Sequence, residues 1–380
     1  MVIYAFGSNG SGQLGVGHTE DLSLPTRCLF EDDAKQNNEN ENENDEVVHI
    51  AAGGNHTLVL FASGAVYAAG SNAGGRCALS TSARQAEDTE TVVRFRRVVI
   101  SDDSTSSGNQ DGKRCVSRFS AVSATWEASF LVDAETGAVC SVGAGAKGEL
   151  GLGPNVTGSS VPVRIPDFPP PGTKVVSVSS SGWHTVAVLS NGDVYGWGSA
   201  RKGQLGKASV QEKVCWSPTK IEDVGIPAKQ VACGQEFTVV AGDPTAGSII
   251  VLGSNKWNVQ TAAPQSVKGY ATVSAGWNGV TVHSSDGSVV SWGRNDRGQL
   301  PPPDTPLLSK LAIGSEHAVA LTDAMELVAC GWGEHGNCGP TTDAQGNVKG
   351  QWAMVPFDLS KGENIIKLGA GCATSWVVTS

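Results

Sequence analysis

An internal repeat limits what this chain can fold into more than any other feature. One copy reads Val47-Val48-His49-Ile50-Ala51-Ala52-Gly53-Gly54-Asn55-His56-Thr57-Leu58-Val59-Leu60, turns at Ser63-Gly64, and continues Ala65-Val66-Tyr67-Ala68-Ala69-Gly70. A fuller copy runs from Val178 through Gly182-Trp183-His184-Thr185 and Asn191-Gly192-Asp193-Val194-Tyr195-Gly196-Trp197-Gly198 to Gly203-Gln204-Leu205-Gly206. Each copy reads as apolar, β-branched segments separated by glycine turns, the pattern of antiparallel strands joined by tight hairpins. The strand-ending glycines are taken as Gly7, Gly70, Gly143, Gly198, Gly253, Gly293 and Gly333, spaced by 63, 73, 55, 55, 40 and 40 residues. Five have a second glycine five residues on, at Gly12, Gly75, Gly148, Gly203 and Gly298. The short spacings approach the length of one four-stranded propeller blade.

The two ends of the chain complement each other. Ile365–Gly371 and Thr374–Thr379 match the first two strands of a unit, while Val2–Gly7 matches the third. The expected fold is therefore all-β: a seven-bladed β-propeller of four-stranded blades, closed by the N-terminal strand joining the C-terminal blade so that no sheet edge is left at the seam. The fourth strand should lie outermost, where prolines such as Pro162 and Pro218 cost no ladder hydrogen bond. The whole chain, 1–380, is expected to be one propeller domain. Long spacings mark two expected insertions, an acidic, disordered one at about 31–46 and a polar one at about 101–114.

Composition narrows function. Of a net charge of −10, most lies in the first insertion, where eight acidic residues from Glu31 to Glu46 face Lys35 alone. No basic stripe is visible, which argues against direct nucleic-acid binding. No apolar run approaches the roughly 20 residues of a membrane helix. The N-terminus lacks a signal-peptide pattern, and the nine cysteines are scattered without a CxxC pair, so an intracellular protein is expected. Walker-type, HExxH and Ser/His/Asp patterns are missing, and no enzyme activity or cofactor is expected.

The pattern Gly-x-x-His-Thr, Gly-x-Val-Tyr-x-x-Gly, Gly-Gln-Leu-Gly resembles the chromosome-condensation-regulator repeat over essentially the whole chain outside the insertions. Three segments, Tyr4–Gly10, Cys330–Gly339 and Gly371–Val378, are similar more narrowly to the fungal alpha-tubulin suppressor, or killer-toxin-insensitivity, family. That resemblance implies a non-catalytic subunit of the cytoplasm and nucleus. It would pair with a small CSL zinc-ribbon electron carrier, supporting diphthamide synthesis on translation elongation factor two and Elongator-dependent wobble-uridine modification of tRNA. The parent repeat implies an alternative, guanine-nucleotide exchange on a small GTPase.

His56, His184 and His317 recur at one strand position, and a structural role, bonding the backbone of a neighbouring strand, outweighs a catalytic one. Cys330, His335, Cys338 and Cys372 have metal-ligand chemistry, yet Cys338 fills the leucine slot of Gly-Gln-Leu-Gly, as Cys77 does, so no metal is expected. Trp197, Trp292, Trp332 and Trp376 are read as core. The loops after strands one and three should share one face, gathering Trp126, Trp183, Trp257 and Trp277 with Arg201, Lys202, Lys256 and Arg297. With Glu334, His335 and Asn337 these form the candidate partner surface, since tryptophan and arginine dominate binding hot spots. The competing reading has each indole covering its own blade.

Overall fold

The computed structural model describes residues 1–31, 45–79, 91–102, 114–359 and 362–380. Most of both expected insertions lies outside the described residues. Their borders are ordered: Glu31 pairs with Arg96, Asp45 accepts hydrogen bonds from the Ser63 amide and hydroxyl, and Ile100–Asp102 pairs with Arg114–Val116 as a two-stranded ribbon.

Seven antiparallel sheets form the blades of a β-propeller. Counting from Val47–Ala52, blade 1 ends at Thr91–Arg97 and blade 6 at Asn347–Met354. Blade 7 is closed across the termini: its strand order is Leu22–Arg27, Val2–Gly7, Thr374–Thr379, Ile365–Ala370. Six residue pairs, from Val2 opposite Thr379 to Gly7 opposite Thr374, zip the first strand of the chain to the last. The expected closure is therefore the observed one.

Five blades have four strands. Among the described residues blade 4 (Gln230–Cys233, Phe237–Ala241, Ile249–Gly253) and blade 5 (Tyr270–Ala275, Gly279–Ser284, Val289–Gly293) have three. In blade 5 the segment where an outer strand would form holds Pro301-Pro302-Pro303, three consecutive residues without an amide donor. Elsewhere proline is tolerated at the edge as expected. Pro162 and Pro218 sit in outer strands, within the stretch where pairing skips residues between Gly143 and Ser141, or between Gly198 and Gly196.

The strand-ending glycine needs φ near +100° and close backbone approach. Gly198 has φ +99°, and a Cβ there would lie 2.4 Å from the Trp183 carbonyl oxygen. This geometry corrects the repeat of blade 6. Gly331, with φ +110° and paired with His317, is the equivalent residue, not Gly333. Gly336, φ +85°, is then its partner five residues on, and the loop has the ordinary length. Cys330 takes the place of Trp197 in strand three, Cys338 keeps the leucine slot fully buried, and Trp332 becomes the last residue of the strand, half-buried beside the loop.

Blades are joined by a repeated polar relay. His56, His184 and His317 approach the hydroxyls of Ser129, Thr238 and Ser375 on the next blade at 2.8, 3.1 and 2.9 Å. Each hydroxyl donates back to a loop carbonyl of the first blade, that of Arg76, Gln204 or Asn337. With its proton spent there, the hydroxyl oxygen accepts from the imidazole Nε2–H. The histidines are structural as expected, but their partner is a hydroxyl of the next blade rather than a strand backbone.

Candidate functional site

The loops after strand one and after strand three do share one face, and side chains from neighbouring blades meet there. Around the mouth of the central channel the strand-one loops are linked main chain to main chain. The amide of Gly54 donates to Trp126, Trp126 to Gly182, Gln235 to Trp277, Trp277 to Ser315, and Ser315 to Gly371. These five links, in two runs that break between blades 3 and 4 and between blades 7 and 1, fix the backbone that presents Trp126 and Trp277.

Trp126 and Trp277 come from blades 2 and 5, on opposite sides of the channel, yet their ring centroids lie 5.9 Å apart. They roof the channel mouth together. Trp126 also covers Gly54, where a Cβ would come within 2.8 Å of the indole. Each ring thus spends one surface on a partner inside the protein and keeps the other partly open. Trp183 is half-buried beneath the Lys147 ammonium, 4.3 Å from its ring centroid.

The loops after strand three give the more open part of the face. Trp257 is 43% exposed and sits in a left-handed conformation, φ +61°. Blade 1 uses Gly74, φ +63°, at the equivalent place. Holding a bulky residue there costs about 1 kcal/mol or more. The Arg294 guanidinium, from blade 5, stands 5.4 Å from its ring. Arg294 also bonds both Glu316 carboxylate oxygens and Asp296, so its charge is locally balanced. Burial raises the Glu316 pKa, while the guanidinium of Arg294 opposes that rise.

A second cluster lies on blades 5 and 6. Trp332 is half-buried, with Arg297 5.5 Å from its ring and His335 edge-on at 5.4 Å. Its indole N–H donates to Glu334, and His335 pairs with Asp21 of blade 7 at 2.8 Å. Arg201, Lys202 and Lys256 are exposed and make no ion pair among the described residues. Asn337 differs from the expectation. It is fully buried, donates to the Trp332 carbonyl, and holds the loop from inside, so it offers nothing to a partner.

Sequence reasoning missed Arg294 and Trp332. Arg294 directly follows a strand-ending glycine, a slot where most copies carry serine or alanine. Trp332 was hidden by the two-residue error in register. The rule that a second glycine follows five residues later, applied to Gly331 and Gly336, exposes it.

The histidine relays add chemistry of stability rather than catalysis. Burial pushes the pKa of His56 down to about 3 and those of His184 and His317 down to about 4. An unfolded histidine titrates near 6.5. Below that pH the unfolded chain takes up protons that the folded rings refuse, so the stability present above pH 6.5 drains away toward pH 4. A pKa difference of one is worth about 1.4 kcal/mol. Chemical denaturation should therefore show several kcal/mol less stability at pH 4.5 than at pH 7. The slope should be visibly shallower in a variant carrying His184→Gln and His317→Gln.

Fold and loop face together define a β-propeller of the RCC1 type. The family model for the RCC1-like domain matches residues 2–377, and the chain belongs to that family. It is 28% identical to an RCC1 repeat-containing protein of Schizosaccharomyces pombe, across 99% of this chain and 98% of that one. It is also 25% identical to the secretion-regulating guanine nucleotide exchange factor of Mus musculus, across 99% and 83%. It matches 8% of the length of the human E3 ubiquitin-protein ligase HERC2 at 26% identity. Among solved structures, Prp20p of Saccharomyces cerevisiae, described with its binding to Gsp1p and histones, superposes with a TM-score of 0.74 at 18% identity, covering 99% of this chain and 90% of that one. Human WBSCR16 gives 0.73 at 18%, covering both chains fully. At these identities the two structures speak for the fold alone.

Proposed function

We propose that the protein is a non-catalytic scaffold whose loop face binds a small CSL zinc-ribbon protein, acting with it in diphthamide synthesis and Elongator-dependent tRNA modification in cytoplasm and nucleus. The observation that carries the binding reading is Trp257. A fold that places a tryptophan in a left-handed turn, exposed and beside a guanidinium, accepts strain at a place where a partner would bury the ring. The Trp332–Arg297–His335 cluster and the exposed cations Arg201, Lys202 and Lys256 extend the same face. The choice of the zinc-ribbon protein rests on the resemblance in residues 4–10, 330–339 and 371–378. The repeated histidines favour a scaffold over an enzyme, because they are buried, neutral and engaged in bonds between blades.

A second reading, guanine-nucleotide exchange on a small GTPase, has in its favour the two relatives of that name, at 25% and 26% identity over most of the chain. Two assays on the full chain separate the readings. The scaffold reading expects submicromolar binding of the purified zinc-ribbon protein and no acceleration of nucleotide release from small GTPases. Accelerated release without zinc-ribbon binding would replace it with the exchange-factor reading.

A further inference from the structure

The rim of the propeller is unfinished at blade 5, and the gap has a defined shape. In the five four-stranded blades a carbonyl near the start of strand three, that of Ile3, Val66, Val139, Val194 or Leu327, accepts a hydrogen bond from the amide just after the outer strand. Val289 holds that place in blade 5, and its carbonyl has no main-chain partner among the described residues. The Arg294 amide donates inward to Asn278, and Gly293 stands opposite Gly279. Alternation along the antiparallel ladder then turns the N–H and C=O of Val289, Ser291 and Gly293 outward. Their counterparts in the five closed blades are buried, whereas all three are partly open here. They form an unpaired strand edge, which is the form that accepts an added strand.

Blade 4 also lacks an outer strand, but its own chain covers the edge. Gln260 donates its side-chain amide to the Gly253 carbonyl, and the Val267 amide donates to Gly247. In blade 5 the following segment is drawn toward blade 6 instead, where Thr305 accepts the Trp352 indole N–H at 3.1 Å. The loop above the gap also leaves room. In closed blades the second glycine of the strand-three loop presses on the next outer strand: a Cβ on Gly75, Gly148, Gly298 or Gly336 would lie 2.2 to 2.9 Å from a carbonyl oxygen there. The loop over blade 5 carries Asn258 in that slot, exposed and at φ +60°.

One extended segment of another protein fits this gap. Blade 5 stops one strand short of blade 6, a set-back of about 5 Å, so the same edge of a second copy cannot reach it. Charge sets the direction. At the loop end stands Lys256, exposed and without an ion pair among the described residues. At the far end stands the exposed carboxylate of Asp286, which accepts from its own Ser288. Blade 3 shows such a pairing within the chain: Lys220, last in its outer strand, meets the turn carboxylate of Asp193 at 3.0 Å. We propose that blade 5 takes its fourth strand from a partner protein, as an extended segment antiparallel to Val289–Gly293, with a carboxylate where it enters beside Lys256 and a basic side chain where it ends near Asp286. This site is on the rim and does not depend on which protein meets the loop face.

Two end-blocked peptides are the probes, Glu-Asp-Thr-Val-Thr-Val-Thr-Lys-Lys and the same residues in reverse order, added to the full chain with amide hydrogen exchange as the readout. In the free chain the Ser291 amide should exchange at least tenfold faster than that of its counterpart Gly196. The first peptide at saturation should slow exchange at Val289, Ser291 and Gly293 tenfold or more, and the reversed peptide should not. Ser291→Pro deletes one outward amide and no ladder bond, so it should keep a cooperative melt and lose the protection. Lys256→Glu, a change at an exposed site, should weaken the first peptide at least fivefold and decides the matter if the proline variant does not fold. Outward amides already protected in the free chain, no protection by either peptide, equal protection by both, or unchanged affinity for the first peptide in Lys256→Glu would each overturn the proposal.

Discussion

A chain lacking its first eight residues is expected to lose its cooperative thermal transition. Val2–Gly7 is an inner strand of blade 7, hydrogen-bonded on one side to Thr374–Thr379 and on the other to Leu22–Arg27. It buries Ile3, Ala5 and Phe6, the first two in a cluster with Trp376 and Val378, and Phe6 in another with Val377 and Cys330. Its removal strips one edge from the last strand, detaches Leu22–Arg27 and opens both clusters to water. Closure is the device by which a propeller avoids free edges, so the loss is shared by the whole ring. Calorimetry should show a broad, low-enthalpy transition with dye-binding apolar surface already exposed at 25 °C. A truncated chain melting like the intact one would rule out this seam.

Trp197→Ala should cost about 3–5 kcal/mol, the range for removing a buried large aromatic. The ring is fully buried and meets Phe130 of blade 2 and Phe168 edge-on, both at 5.5 Å, so it fastens one blade to the next. Its indole N–H finds no acceptor among the described residues, whereas that of Trp292 donates to the Val259 carbonyl at 2.8 Å. Phenylalanine should therefore be tolerated better at Trp197 than at Trp292, where it leaves a buried carbonyl without its donor. Urea denaturation of Trp197→Ala, Trp197→Phe and Trp292→Phe checks both statements.

The contrast between these two tryptophans shows where a sequence stops being readable. Blade number, strand order and the closing strand follow from repetition, because glycine spacing and hydrophobic alternation are local consequences of the fold. The shared loop face follows too, from antiparallel order alone. Pairings across blades do not. Trp126 and Trp277 are three blades apart, and their contact depends on the propeller's diameter and on the hydrogen bonds between neighbouring loops, neither of which leaves a mark in either repeat. The histidine partner was legible in kind but not in identity, since Ser129, Thr238 and Ser375 are unremarkable hydroxyls until the next blade is set beside them. Trp332 was misplaced by two residues of register in a copy where Gly331 and Gly333 flank one tryptophan: reading Gly333 as the strand end put it in the core, whereas it is half-buried. Glycine φ values distinguish Gly331 from Gly333 at once. Asn337 was in the right slot, but that slot is buried, as it is at Gln13, Gln204 and Gln299.

The loop-face claim is tested most directly by calorimetric titration of the CSL zinc-ribbon protein into wild type and into Trp257→Gly. Glycine is at ease in the left-handed conformation that tryptophan occupies there, so the variant should fold as stably as wild type and any loss of binding belongs to the ring itself. Truncating a buried aromatic anchor typically costs about 2 kcal/mol or more, which is roughly a thirtyfold loss of affinity. The account predicts that loss in Trp257→Gly with an unchanged melting temperature. Wild-type affinity in that variant, together with wild-type affinity in a chain carrying both Arg297→Ala and His335→Ala, would contradict it.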